Sequence, residues 1–567
     1  MMLFQTYSEI GFVRRTTLPK HHMFKDHFII LEGNMGKTTK ITVHPLYTIG
    51  EISPKLFSTF LEPIGTMVNG TMYNPKHPTA NDLGFRQDVI DALKVTNMPA
   101  CRLPGGNFVS GWQWKDSIGP KEQRKVHLDP AWYQYITNDV GHDEYLQWAE
   151  AINTEPLYTV NLGTGTMQDA LDLIEYTNHE GGTYWSDLRR KNGHEEPYKV
   201  KTWYLGNEMD GPWQLGSWEK DPKGYGIFTN ELSKVMKWID PTIETAVCAS
   251  SAPFMSHFPQ WEEDVLSQCF EAVDLISMHH YHIAPVGDYK ALLGGSAYYE
   301  DFINTEVAMC DLVQAKMRSP KKMMLSFDEY GAMLIPSQPL HPGFGPHNLY
   351  AKHYAFNPER KYILHDPDNM QERFRPGGDM IQALSMASIQ LALLRHADRV
   401  KIGCMTGGLG ALCASNHDHV WKSASHYVFS DMINLAKGIS LNTSTQCETF
   451  DMPGYFIDDD SSYTGKEGQP YVDVAAAWDK EAGRVNVFVI NRSSDTSYPV
   501  ELDVSAFTNC TFIEQKQLYA SSLELANSYD APDAIKPISC TTCTLEKGIL
   551  KADIQPLSWN VFCFEVK

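Results

Sequence analysis

The sequence contains no apolar run approaching the roughly 20 residues of a membrane-spanning helix. It also lacks a basic surplus: 48 Lys and Arg stand against 69 Asp and Glu, a formal net charge of −21. Nucleic acid and anionic membrane would each require a positive surface, so neither is expected as a partner. Near the start, Arg14 and Arg15 are not followed by a long apolar core, and residues 28–31 are too short to supply one, so no signal peptide is expected. Cysteine shows no pairing pattern. The eleven are odd in number and scattered, and Cys101, Cys248, Cys404 and Cys563 lie in apolar, strand-like runs where a buried thiol is the ordinary state. Cys540-x-x-Cys543 has no second pair near it, so chance spacing outweighs a redox or metal motif. Together these absences point to a reduced, cytoplasmic protein.

What is present is length and rhythm. The chain has 567 residues, enough for one very large domain and a smaller one. Residues 1–48 carry short alternating segments, 28–31 and 41–43, of strand type. Over 49–412 short apolar runs alternate with longer amphipathic ones, the pattern of βα units. Eight strands are expected at 56–62, 100–107, 156–163, 202–208, 245–251, 273–281, 323–329 and 399–406. Helices fall between them, for example at 84–95, 143–151, 225–239 and 299–317. Eight such units predict an α/β fold, a (β/α)8 TIM barrel with functional groups at the C-terminal ends of its strands. Residues 413–567 read as the last barrel helix and then a C-terminal β-sandwich, which the N-terminal strands should join. Two insertions, 108–142 with Trp112, Trp114 and Trp132, and the long 332–377, are expected to line the cleft or a subunit contact.

Two strand ends carry chemistry. The run Trp203–Leu205 leads through Gly206 to Asn207 and Glu208, then to a Gly-Pro turn edged by Trp213. The run from Met323 ends in Asp328 and Glu329. Hydrolysing a glycosidic bond takes two carboxyl groups, one to protonate the leaving oxygen and one to act at the anomeric carbon. Glu208 is the candidate acid/base and Glu329 the candidate nucleophile. Taken singly, a turn Asn beside a solvated Glu is the commoner arrangement, and a loop carboxylate near a helix N-terminus is common too; the pairing gives these two their weight. Successive side chains alternate along a strand, so only one of Asp328 and Glu329 is expected in the site. The turn from Arg102 to Phe108 is rich in glycine but lacks the Lys-Ser/Thr of a nucleotide loop. Asn107 is better read as a ligand of sugar hydroxyls, and Arg102 as the partner of a carboxylate beneath the site. His279-His280-Tyr281-His282 matches no zinc spacing, and alternation lets at most two of its imidazoles converge. His279 and Tyr281 share a face, from which Tyr281 can hold the nucleophile. Neither metal nor cofactor is expected.

On these residues the chain resembles the α-L-arabinofuranosidases of glycoside hydrolase family 51. The stretches that carry the likeness are Phe60–Gly65, Arg102–Gly111, Val160–Gly165, Gly206–Trp213, Ile276–Tyr281 and Leu325–Glu329. The resemblance implies a retaining exo-glycosidase that removes terminal α-L-arabinofuranosyl residues from oligo- or polysaccharides. It implies acid/base Glu208 and nucleophile Glu329, furanose contacts at Glu62, Asn107, Asn207 and Tyr281, and His279 beside the catalytic pair. It also implies no metal, and a homo-oligomer, often a hexamer. The sequence departs from the family at Gly407, where a sugar-binding Gln is usual, and at Pro63, where His is common. A missing side chain at Gly407 would make room for a larger furanose such as β-D-galactofuranose. The alternatives are therefore a β-D-galactofuranosidase or β-glucanase using the same carboxylates, a non-catalytic carbohydrate-binding protein, and a metal hydrolase built on the histidine cluster.

Overall fold

The computed structural model describes residues 34–335, 361–365, 379–407, 413–415, 418–456, 462–522, 525–541 and 543–567. Eight parallel strands close into a barrel: β1 (Ser58–Phe60), β2 (Ala100–Arg102), β3 (Glu155–Val160), β4 (Thr202–Leu205), β5 (Glu244–Cys248), β6 (Leu275–Pro285), β7 (Met324–Ile335) and β8 (Val400–Thr406). Each lies within or overlaps the run expected for it. Their order around the barrel is their order in the chain, and β8 pairs back onto β1. The interior is a packed layer: Phe60, Ala100, Leu157, Tyr204, Ala246, Leu275, Ile402 and Cys404 form one buried cluster, with Met324 against it. Every strand of the barrel contributes, as a closed parallel barrel requires.

Helices cover the outside, including Gln87–Lys94, His142–Ile152, Pro222–Ile239 and Ser296–Met317, close to the expected spans. Their starts follow capping chemistry. Asp221 accepts a hydrogen bond from Gly224 N at 2.9 Å, and Pro222 fills the first helical position, where no N–H is needed. The helix Met380–Arg395 is buried on nearly all sides because it is wedged between the barrel and the C-terminal sheet.

That sheet has eleven strands, with Thr39–Glu51 in the middle, between Ile439–Gln446 and Thr496–Asp503. The N-terminal strand thus joins the C-terminal unit as expected; residues 28–31 lie outside the described residues. Alternation along the strands buries both faces. Val474, Ala476, Val485, Val487, Phe562 and Phe564 fill the core inside the curled sheet, whereas Ala475, Ala477, Phe488, Val561 and Cys563 pack with the barrel's core.

The first insertion behaves in two ways. Trp112 and Trp114 are internal: their indole nitrogens donate to Asn138 Oδ1 at 2.9 Å and Asp169 O at 3.1 Å, so neither lines the cleft. Trp132 sits on the turn of a hairpin, His127–Asp129 with Gln134–Ile136, that reaches the barrel mouth. Of the second insertion, β7 carries on to Ile335 and residues 361–365 pair with the same hairpin; 336–360 and 366–377 lie outside the described residues.

Candidate active site

The mouth of the barrel is organised by a buried guanidinium. Arg102 ends β2, fully buried, with its charge between the rings of Phe60 and Tyr204 at 5.1 and 5.0 Å. Nη1 donates to Glu329 Oε1 at 2.6 Å and Nη2 to Asn207 Oδ1 at 2.7 Å, while Nε lies 3.1 Å from Asp328 Oδ2. The carboxylate expected beneath the site is therefore a pair, and Arg102 also fixes the amide of Asn207.

That pair corrects one expectation. Strict alternation would turn Asp328 away from Glu329. Instead β7 carries a bulge: its register against β6 slips between Ser277 and His279, and against β8 between Phe327 and Tyr330. An extra residue breaks the alternation, so both carboxylates reach Arg102 and His279. Nor does β7 end at Glu329. It runs on with β6 past the mouth, from His280 opposite Tyr330 to Pro285 opposite Ile335, and Glu329 lies where this ribbon leaves the barrel.

Each oxygen of Glu329 has a donor. Arg102 takes Oε1, and the Tyr281 hydroxyl donates to Oε2 at 2.7 Å, 2.9 Å from Thr406 Oγ1. Burial pushes the Glu329 carboxyl up; His279 and Arg102 pull against it, and the Glu208 charge adds to the rise. Two donors on two oxygens are the surroundings of an ionised carboxylate. Burial, with the Glu329 charge behind it, raises Tyr281, which remains a phenol able to donate.

Glu208 lies just beyond β4, with its backbone in the left-handed region at φ 46°. Such a conformation is costly for a residue with a side chain and is concentrated at functional positions. His279 Nδ1 is 3.1 Å from Oε1, and Trp213 Nε1 donates to Oε2 at 2.6 Å. Burial would raise this carboxyl, but the hydrogen bond and charge of His279, with Trp213, leave it lowered. Burial likewise works against the His279 cation. The charges of Glu329 and Asp328 and the bonds to Asp328 and Glu208 overcome it and push the imidazole up to about 10. A protonated His279 therefore stands 3.1 Å from Glu208 Oε1. His280 and His282 point the other way, His282 Nε2 lying 2.9 Å from Ala291 O, so only one imidazole of the cluster faces the mouth.

Around this centre, Glu62 accepts at one oxygen from Phe108 N (2.9 Å) and from Trp132 Nε1 (2.6 Å). Burial, with the Glu329 charge, pushes its carboxyl well up, against the pull of the Phe108 and Trp132 hydrogen bonds. The close approach needs Gly106, at φ 75°, whose place a Cβ would contest with the Glu62 carboxyl. Asn107 starts a short 3-10 turn rather than ending a strand. Its Oδ1 accepts from Asn207 Nδ2 at 3.1 Å and from Gln214 Nε2. Gly407, at φ 79°, follows β8, and no described residue lies within 4 Å of where a Cβ would stand.

All seven residues expected at the site, Glu62, Asn107, Asn207, Glu208, His279, Tyr281 and Glu329, converge here. Those whose contacts the sequence did not reveal are Asp328, Thr406, Gln214 and Trp132. For Asp328 the signal was its place beside Glu329, against which periodicity argued; Trp132 lay in the insertion expected to line the cleft or a subunit contact. One ligand atom each from Glu208, His279 and Glu329 lie within 4.8 Å of one another. These are donor types that could hold a divalent cation, which would have to displace the proton His279 keeps well above neutral pH.

Carboxyl oxygens this close, one just beyond the fourth strand of a (β/α)8 barrel and one where the seventh leaves the barrel, fit the spacing of about 5–5.5 Å that leaves no room for a water between them. They define a glycoside hydrolase of the retaining class. Family models agree: an alpha-L-arabinofuranosidase 1 domain matches residues 91–299, and an alpha-L-arabinofuranosidase C-terminal domain matches 350–558. An intracellular exo-α-(1→5)-L-arabinofuranosidase 1 of Bacillus subtilis is 35% identical, over 93% of this chain and 98% of that one. An exo-α-(1→6)-L-arabinofuranosidase of Bifidobacterium longum is 31% identical, over 92% and 96%. Among solved structures, the family 51 α-L-arabinofuranosidase AbfB of Bifidobacterium longum superposes with a TM-score of 0.78 at 28% identity, over 93% and 99%. The α-L-arabinofuranosidase of Thermotoga maritima in its arabinose complex gives 0.78 at 26%, over 93% and 100%. The chain belongs to the α-L-arabinofuranosidases of glycoside hydrolase family 51.

Proposed function

We propose that this protein is a retaining exo-α-L-arabinofuranosidase in which Glu329 is the nucleophile and Glu208 the acid/base. The observation that carries the assignment is the difference between the two carboxyls. Glu329 is clamped by Arg102 and Tyr281 at the barrel wall, whereas Glu208 sits across the mouth within reach of a proton on His279. Glu329 attacks the anomeric carbon while Glu208 protonates the leaving oxygen; water deprotonated by Glu208 then hydrolyses the glycosyl-enzyme. Glu62, Asn107, Asn207 and Tyr281 bind the furanose. A terminal furanose on an oligo- or polysaccharide is the substrate, and no nucleic acid or membrane partner is invoked. The relatives named intracellular support a cytoplasmic place. No described helix is long and apolar enough to cross a membrane. Homo-oligomerisation is a separate proposal, to be read by light scattering after size exclusion.

The test is a pair of variants on an aryl α-L-arabinofuranoside. Glu329→Ala should lose turnover by several orders of magnitude, and azide should restore a glycosyl azide of inverted configuration. Glu208→Ala with azide should give the retained anomer. Near-normal turnover by Glu329→Ala would end the assignment. The relatives differ in linkage, (1→5) or (1→6), and the absence of a side chain at Gly407 favours including β-D-galactofuranosides. A panel of these substrates, with the product anomer read by NMR, settles the specificity.

A further inference from the structure

Both oxygens of Glu208 are held before any substrate arrives, and the second holder is unusual. Trp213 lies five residues on, past a turn closed by Gly211 N donating to Glu208 O at 2.8 Å. Its indole folds back over that turn, half-buried, and presents Nε1 to Oε2 at 2.6 Å. The fold-back depends on Gly211. A Cβ there would stand 2.6 Å from the nearest ring atom of Trp213. Glu208 itself sits on a left-handed backbone, so its carboxyl is kept in place by side chains from outside that residue.

We infer that Trp213 is a positioning residue for the acid/base: its N–H orients Glu208 and stabilises the carboxylate that appears as the leaving oxygen is protonated. In the first step Glu329 bonds to the anomeric carbon and the glycosidic C–O bond breaks. The proton on Glu208 passes to the leaving oxygen, and the electron pair of the O–H bond stays on Glu208. A donor already aimed at that carboxylate acts most where charge develops, the condition for stabilising a transition state. His279 stands on the other oxygen, but it also serves Asp328 and Glu329. Among the described residues, Trp213 Nε1 donates to Glu208. Its help is needed only where the leaving group needs a proton.

The experiment compares wild type with Trp213→Phe on two substrates, an α-(1→5)-linked arabino-oligosaccharide and 2,4-dinitrophenyl α-L-arabinofuranoside. Loss of the donor should lower kcat/KM about 10- to 100-fold on the oligosaccharide, a fraction of what a general acid supplies, and little on the dinitrophenyl substrate. It should also move the alkaline limb of kcat/KM on the oligosaccharide up by about one pH unit, because the carboxylate has lost a hydrogen bond. Gly211→Ala keeps the indole but displaces it, and should show the same signature more weakly, which separates lost positioning from a damaged fold. An equal loss on both substrates, or an alkaline limb that stays in place, overturns the inference. The inference rests on the arabinofuranosidase reading. A wild type inert on every arabinofuranoside would sink that reading and this one together, whereas a loss independent of leaving group sinks only this one.

Discussion

At the scale of single residues, His279 has the most to explain. It is an imidazolium among three carboxylates, 3.1 Å from Glu208 and Asp328 and 3.7 Å from Glu329. Its charge lowers all three, so its removal must raise Glu329, the proposed nucleophile. His279→Gln should therefore shift the acidic limb of kcat/KM to higher pH, by about a unit or more, with a lower plateau. A pH–rate profile on an aryl arabinofuranoside measures this; an unmoved acidic limb would mean that the imidazole is neutral in the working enzyme. The family resemblance placed His279 beside the catalytic pair, and alternation put it on the same strand face as Tyr281. Neither could show that the imidazole would be cationic, since that depends on where Asp328 points.

Among the elements, the strands were legible because each is a short apolar run ending in a polar residue, and the eight-fold repeat fixes how such runs close. The bulge in β7 was not legible, because nothing in Leu325-Ser326-Phe327-Asp328 distinguishes a regular strand from a slipped one. Only the neighbouring strands β6 and β8 impose the shift. Trp112 and Trp114 misled in the same way, since aromatic side chains serve cores as readily as sugar sites. A buried acid pair between two barrel helices was equally invisible. Glu262 on Gln260–Cys269 and Glu306 on Ser296–Met317 are wholly buried; Glu262 accepts from Ser250 N at 2.7 Å, whereas the Glu306 oxygens have no hydrogen-bond partner among the described residues. Burial, then the Glu262 charge, pushes Glu306 well up. A group raised on folding gives its full stability below the unfolded carboxyl range and loses it as pH climbs toward the folded value. Glu306→Gln keeps the shape of the side chain and removes that loss. The variant should match wild type in mild acid and melt higher at alkaline pH, in thermal scans across that range; parallel curves at every pH would refute it.

For the whole molecule, what matters is how barrel and sheet are joined. Asp473, on Val472–Asp479 of the sheet, receives Arg492 on one oxygen and Arg395, at 2.9 Å, on the other. Arg395 ends the wedged helix and also donates to Glu300 at 2.7 Å. Removing one partner of a buried ion network leaves charge stranded, at about 3–5 kcal/mol. Asp473→Ala should lower the denaturation free energy by about that much, read from chemical unfolding, while a soluble, folded variant keeps its KM. A loss under about 1 kcal/mol would show that solvent reaches this joint. The placing of Thr39–Glu51 in the middle of the C-terminal sheet has a consequence for biosynthesis. That segment leaves the ribosome nearly the whole barrel ahead of Ile439–Gln446 and Thr496–Asp503, a wait of roughly tens of seconds at ordinary elongation rates. Until then it is a strand without a sheet, with Ile41 and Val43 bare. Nascent chains halted inside the barrel should be the species that chaperones hold and proteases find.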